Sequence, residues 1–210
     1  MDFLKKVRNK FDIIASGDVL IAWEFDPDAF HHALRPALAA FKRERIPYDL
    51  AHDRADGSPY RMREQGFNLG KVKGNDWSHV SVGMLKNYEE KDDLETITAL
   101  AKANVPTWKV KSYGILPTTV GLSYLVLDLD YPKEAGEFET GMRKYGGERF
   151  STPTDKGFKH RPHASLLGFE ASHNETVNSL MKSLPISSRS IETKAIQIWK
   201  GFHVIEHIML

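Results

Sequence analysis

Residues 79–85 read HVSVGML, and residues 163–169 read HASLLGF. Each opens with a histidine, places a serine two positions on, and continues into an apolar run. Short apolar runs of this length read as buried strands. Side chains alternate between the faces of a strand, so residues two apart share one. His79 and Ser81 then point one way, while Val80 and Val82 point into the core. His163 and Ser165 likewise share a face, opposite Ala164 and Leu166.

Outward from these runs, the chain divides into two similar halves. VLIAWEF (19–25) reads as a buried strand. In DPDAFHHALRPALAAFKRER, Asp26 suits a helix cap and Pro27 the first turn, and Phe30, Leu34, Leu38 and Phe41 recur at helical spacing. Pro36 predicts a kink or an early break. Residues 46–76 are irregular, with scattered Gly, Pro and charge, and form the long loop of the first half. The first His-x-Ser strand follows, then a helix (EEKDDLETITALAKANV) and an alternating strand (TWKVKSYGIL). The second half repeats the plan. LSYLVLDLD (122–130) is a strand, and YPKEAGEFETGMRKYGG is a helix opened by proline and closed by glycine. FSTPTDKGFKHR is a loop before the second His-x-Ser strand. SHNETVNSLMKSL is a helix with Ser172 as its cap, and SIETKAIQIWKG and FHVIEHIML are closing strands paired around Gly201. AWEFDP and VLDLDYP fall at matching places. Internal duplication accounts for this most simply. The expected fold is α/β (α+β), one bilobed domain over 1–210 with mostly antiparallel sheets and a central cleft. An N-terminal helix or arm (1–17) precedes lobe 1 (18–117) and lobe 2 (118–210).

The composition narrows the function. The 210 residues carry a formal net charge of +1. A protein that grips long nucleic acid usually carries a strong basic excess, because its affinity comes from neutralised phosphates. A nucleotide or short RNA is therefore expected, not a long duplex. The chain has no cysteine, which excludes disulfides, thiolate nucleophiles and cysteine-ligated metals and fits a reducing, cytoplasmic setting. The apolar stretches of MDFLKKVRNKFDIIASG are broken by Lys10 and Asp12, so no stable membrane insertion is expected. There is no phosphate-binding glycine loop followed by Lys-Ser/Thr, and no Gly-x-Ser-x-Gly elbow. Nothing in the sequence speaks to oligomeric state.

Two imidazoles and two hydroxyls brought to one cleft by a pseudo-twofold axis suit a phosphodiester. One neutral histidine takes a proton from the attacking hydroxyl or water, and the other, protonated, gives one to the leaving oxygen. The serine hydroxyls donate to the non-bridging oxygens, where negative charge is held. This chemistry requires no metal and no cofactor.

The paired motifs His79-Val80-Ser81-Val82 and His163-Ala164-Ser165-Leu166, with Pro162 before the second histidine, resemble the signatures of the 2H phosphoesterase superfamily. The resemblance runs from about residue 18 to the end. It implies a bilobed α/β protein that cleaves or opens phosphodiesters without metal, with His79, Ser81, His163 and Ser165 as the catalytic set. Substrates in that superfamily include RNA 2′,3′-cyclic ends, ADP-ribose cyclic phosphate, 2′-5′ oligoadenylates and cyclic oligonucleotides. Ser stands in both motifs where many members have Thr. The long 46–76 segment departs from the pattern.

A nucleotide would use aromatic platforms and cations. Tyr48, Tyr60, Phe67 and Trp77 lie in or beside the long loop, Tyr124 begins the first strand of the second half, and Trp199 lies near the closing turn. Lys159 and Arg161 lead into the second histidine. Each of these is also a plausible packing or surface residue. Two alternatives accompany the phosphodiesterase reading. One is a module that binds nucleotide or RNA in the same cleft without turnover. The other is a zinc hydrolase built on His203 and His207, because HVIEH (203–207) fits the His-x-x-Glu-His pattern. That pattern needs a helix, and the β-branched surroundings predict a strand.

Overall fold

The computed structural model describes residues 17–50, 79–117, 121–157, 161–186, 190–200 and 203–210. The N-terminal segment 1–16 and most of the long loop lie outside the described residues, including Tyr60, Phe67 and Trp77; so does Lys159.

The described residues form nine strands and four α-helices, two of the strands being short pairs in stretches that read as loops. The strands are β1 (Val19–Phe25), β2 (Asp49–Leu50), β3 (His79–Leu85), β4 (Thr107–Pro117), β5 (Leu122–Leu129), β6 (Phe150–Ser151), β7 (His163–Glu170), β8 (Ser190–Lys200) and β9 (His203–Met209). The helices are α1 (Pro27–Arg43), α2 (Glu90–Ala103), α3 (Lys133–Gly146) and α4 (Asn174–Met181). None is long and apolar enough to cross a membrane among the described residues.

Local chemistry sets the helix ends. The Asp26 carboxylate accepts from the Ala29 amide at 2.9 Å, and Pro27 sits in the first turn of α1. Pro36 does not break this helix, which runs on to Arg43. Phe30, Ala33, Leu34, Ala37 and Phe41 are all buried on one face, and that packing outweighs one missing backbone hydrogen bond. Ser172 is not the cap of α4. It lies in a short 3-10 turn (Ala171–His173), and the cap position belongs to His173.

Among the described residues the strand pairings are antiparallel, and the order is β2-β7-β5-β4-β8-β1-β3-β6; β9 pairs with Ala195–Lys200 of β8, beyond the Ser190–Glu192 stretch that β4 takes. The central path, β7-β5-β4-β8-β1-β3, reads the same from either end once β1 is matched with β5, β3 with β7, and β8 with β4. The pseudo-twofold relation expected from the sequence is thus present in the sheet. The third strand of each half crosses over: β4 pairs with β5, and β8 pairs with β1. Helices cross as well. Phe138 of α3 packs edge-on against Trp23 of β1, with ring centroids 4.8 Å apart, and Phe41 of α1 packs against Phe169 of β7 at 5.5 Å. The Tyr113 hydroxyl of β4 donates to the Ala33 carbonyl of α1 at 2.7 Å. Neither half of the chain completes a sheet or a core alone.

Among the described residues, the two leaves, β7-β5-β4 and β8-β1-β3, are hydrogen-bonded to each other where Thr107–Lys109 pair with Ser190–Glu192. The Trp108 indole donates to the Thr193 hydroxyl there, which in turn donates to the Pro106 carbonyl. In a flat sheet β7 and β3 would lie five strand spacings apart, about 24 Å. Their Cα atoms instead come within 8 Å of each other. The leaves therefore fold towards one another and bring the two His-x-Ser strands together.

Candidate functional site

On β1, Val19, Ile21, Trp23 and Phe25 are buried on the helix side, so Leu20, Ala22 and Glu24 face the other way. On β5, Ser123, Leu125, Leu127 and Leu129 are buried on the helix side, and Tyr124, Val126 and Asp128 face away. Directly opposed residues of a ladder share a face. His79 stands opposite Glu24 and Ser81 opposite Ala22. His163 stands opposite Asp128 and Ser165 opposite Val126. Both motifs therefore lie on sheet faces turned away from the helices, at the same register in each half.

The strands depart from simple alternation at the same point too. Ala22 pairs with Ser81 and Ile21 with Gly83, which leaves Val82 as an extra residue. Val126 pairs with Ser165 and Leu125 with Leu167, which leaves Leu166 extra. A β-bulge thus follows each motif serine. Bulges kink a strand and re-aim its side chains, and they gather beside active sites.

The surroundings of the two histidines differ. His79 is 8 % exposed. Its ring lies 5.2 Å from that of Trp199. The Trp199 indole donates to the Gln197 side-chain oxygen at 3.0 Å, and the Gln197 amide donates to the Glu24 carboxylate at 2.9 Å. His207 of β9 pairs with the same carboxylate oxygen. Glu24 itself is 1 % exposed. Ser81 is exposed.

His163 and Ser165 are both half-buried. The His163 Nδ1 lies 2.8 Å from the Arg161 carbonyl oxygen. A carbonyl only accepts, so Nδ1 carries the proton and Nε2 is left with the lone pair when the ring is neutral. The Arg161 guanidinium donates to both Asp128 oxygens, at 2.7 and 3.0 Å, and to the Ile115 carbonyl at 3.2 Å. The hydrogen bond to Asp128 raises the Arg161 pKa. Gly114 makes this possible: a Cβ there would fall far inside van der Waals contact with both Arg161 and Asp128.

The remaining candidates separate clearly. Tyr124 shares the Asp128 face of β5 and is half-buried. Trp199 is buried against His79 and offers one wall of that half-site. Arg161 is held by Asp128 and a backbone carbonyl, and its side chain remains 40 % exposed. Tyr48 is a core residue: it is 1 % exposed and packs edge-on against Phe41 at 6.0 Å, which leaves no ring face for a base. HVIEH lies on strand β9. Residues four apart on a strand are about 13 Å apart, too far for two histidines to ligate one zinc ion. Among the described residues no cluster of three metal-capable side chains occurs.

The sequence reading missed Glu24, Asp128, Gln197 and Gly114. The signal for the first two was present in AWEFDP and VLDLDYP, where an acidic residue sits at the same point of each matched stretch.

No protein-family model and no curated protein sequence matches the chain. Solved structures do. Kluyveromyces marxianus Usb1 aligns at TM-score 0.50 and 13 % identity, over 92 % of this chain and 98 % of that one. The same protein with uridine monophosphate aligns at TM-score 0.51 and 12 % identity, over 92 % and 99 %. Escherichia coli LigT complexed with 3′-AMP aligns more distantly, at TM-score 0.41 and 10 % identity, over 92 % and 95 %. Over nearly its whole length, the mixed α/β architecture of this chain is similar to that of Usb1.

Proposed function

We propose that the protein is a metal-independent phosphodiesterase acting on a small nucleotide or an RNA end. Its candidate substrates are a 2′,3′-cyclic phosphate, a 2′-5′-linked oligonucleotide or a cyclic oligonucleotide signal. The observation that carries this reading is the equivalence of the two His-x-Ser motifs. Each occupies the same register, faces an acidic neighbour, and is followed by a bulge. Two unrelated strand histidines have no reason to share all three features. The approach of β3 to β7 and the likeness to a structure that holds uridine monophosphate support it further.

In this mechanism one imidazole removes a proton from the attacking hydroxyl or water as it bonds to phosphorus. The other protonates the departing oxygen as the P–O bond breaks. The Ser81 and Ser165 hydroxyls hydrogen-bond the non-bridging oxygens, whose charge grows in the transition state. The test is turnover of 2′,3′-cyclic nucleotides, 2′-5′ oligoadenylate and cyclic di- and trinucleotides in the presence of EDTA. Turnover of one class that survives chelation is expected. Activity that disappears with EDTA and returns with added metal would overturn the metal-independent reading. Binding without turnover would favour the non-catalytic module.

A further inference from the structure

The two half-sites share a plan and differ in one chemical respect. A carboxylate stands directly across the ladder from each histidine: Glu24 from His79 and Asp128 from His163. Opposed residues of antiparallel strands have Cβ atoms about 4.5–5.5 Å apart, so each carboxyl belongs to its imidazole's immediate surroundings. Each carboxylate also has a cation. Asp128 is held by Arg161, which is permanently charged, and Glu24 by His207, which is a cation only when protonated.

The Glu24 cluster is closed. His79 packs on Trp199, Trp199 donates to Gln197, Gln197 donates to Glu24, and Glu24 stands opposite His79. The indole N–H fixes which way the Gln197 amide points, and the amide fixes the carboxylate. A buried carboxylate needs a partner to hold its charge, and the last strand of the chain supplies it.

Resting on the two-histidine reading of the site, we propose that Glu24 and Asp128 are positioning residues, one for each histidine, and that the state of His207 sets how much of the Glu24 charge His79 feels. With His207 protonated, the pair is neutral. Once His207 loses its proton, the carboxylate acts unopposed on His79, which then holds its own proton more firmly. Asp128 stays neutralised by Arg161 throughout. This inequality gives the cleft a direction. His79 is the proton donor, and His163, with Nδ1–H tied to a carbonyl and Nε2 open, is the acceptor. Among the described residues, the strands beside β3 bring no second carboxylate directly opposite His79. On its sheet face β8 brings Ala195, Gln197 and Trp199, none of them charged. Strand β6 brings Phe150 and Ser151, and β7 contributes His163 and Glu170 as its titratable groups.

The test is an NMR titration of the histidine rings in the full-length protein, assigned with His79→Asn and His207→Gln. In the wild type, the His79 and His207 titrations are expected to be coupled. In Glu24→Gln, the His79 midpoint should fall by roughly one pH unit, as loss of an adjacent opposite charge produces. In the same variant kcat should fall by roughly 10- to 100-fold with KM little changed, as for a misplaced catalytic group. Glu24→Asp should restore part of both. His207→Gln strands a buried charge and is at risk of unfolding. Glu24→Gln/His207→Gln carries none, and its His79 titration should match that of Glu24→Gln. A His79 midpoint that stays within about 0.2 units of wild type in folded Glu24→Gln and in the double variant would overturn the proposal, since ordinary charge effects are several times larger. Because the titration needs no substrate, it decides the positioning role even if no phosphodiester is turned over.

Discussion

His79 faces Glu24 across the β1–β3 ladder, one residue pair beyond Trp23 and two beyond Ala22, which faces Ser81. Stepping along the β5–β7 ladder gives the same sequence of partners: Asp128 to His163, Leu127 to Ala164, Val126 to Ser165, then a bulge. Two strand pairs from different halves of the chain thus carry one local design. In both, an acidic residue stands directly opposite the motif histidine.

Gly114 is the most economical place to disturb the second half-site without touching a polar group. The Cβ of Gly114→Ala would collide with the Arg161 guanidinium and the Asp128 carboxylate. Both groups are the ends of side chains that can move aside, so the stability cost should stay below the ~1–3 kcal/mol of overpacking in a rigid core. Because the Arg161 carbonyl holds the His163 ring, the variant should also lose activity, by up to about 100-fold for an ångström of displacement. Denaturant melts and kcat measured together check this. Full activity alongside reduced stability would separate Arg161 from the placement of His163.

The crossing of strands and helices between halves predicts a single cooperative unit. Phe138 of α3 lies under Trp23 in the leaf that carries His79, although α3 belongs to the second half of the chain. Phe138→Ala should cost about 3–5 kcal/mol and shift one transition, seen alike by far-UV and tryptophan signals. Two separated transitions would contradict the interlocked arrangement.

Stability should fall at both extremes of pH. The Asp155 carboxyl is held down at about 2, first by the Arg143 guanidinium and then by the Thr152 amide. For Asp93, burial alone would raise the carboxyl. Hydrogen bonds from Arg149, the Glu89 amide and Tyr145 outweigh burial and keep it below its usual value. A depressed carboxyl stabilises the fold above its unfolded pKa, about 4, and that contribution is lost as pH falls through the folded value. Burial pushes Tyr113 up to about 12. Burial pushes Tyr88 up to about 12 as well, with Glu206, Glu90 and Asp93 adding to it. A raised tyrosine stabilises the fold below about 10, and that contribution is lost as pH rises towards 12. Melting temperatures across this range should form a plateau with two falling limbs. Asp155→Asn should flatten the acid limb and Tyr113→Phe the alkaline one; limbs unchanged in these variants would refute the assignment.

Much of this was legible in the residues. Runs such as VLIAWEF and LSYLVLDLD declared their strands because short, mostly apolar runs rich in strand-forming residues pack as strands. The pairing order was not legible, because a strand's composition does not say which neighbour it takes. The exchange of β4 and β8 between halves depends on how the whole sheet closes. The motif histidines and serines were visible as a repeat. Their acidic partners lie far off in sequence and become neighbours only through register. Of the kink or early break that Pro36 suggested, the break does not occur, because five buried side chains on one helix face hold α1 together. Tyr48 misled because an aromatic next to a loop reads alike whether it stacks a ligand or fills a core.

The central claim is that the two histidines act on one phosphate from opposite sides. The direct measurement is turnover by wild type, His79→Ala and His163→Ala on the substrate that wild type accepts, in EDTA, with circular dichroism confirming that each variant is folded. The account predicts a loss of at least about 100-fold for either single change, because each removes a general acid or base. It also predicts a bell-shaped pH–rate profile in the wild type that loses one limb in each variant. Wild-type turnover in either folded variant would contradict it.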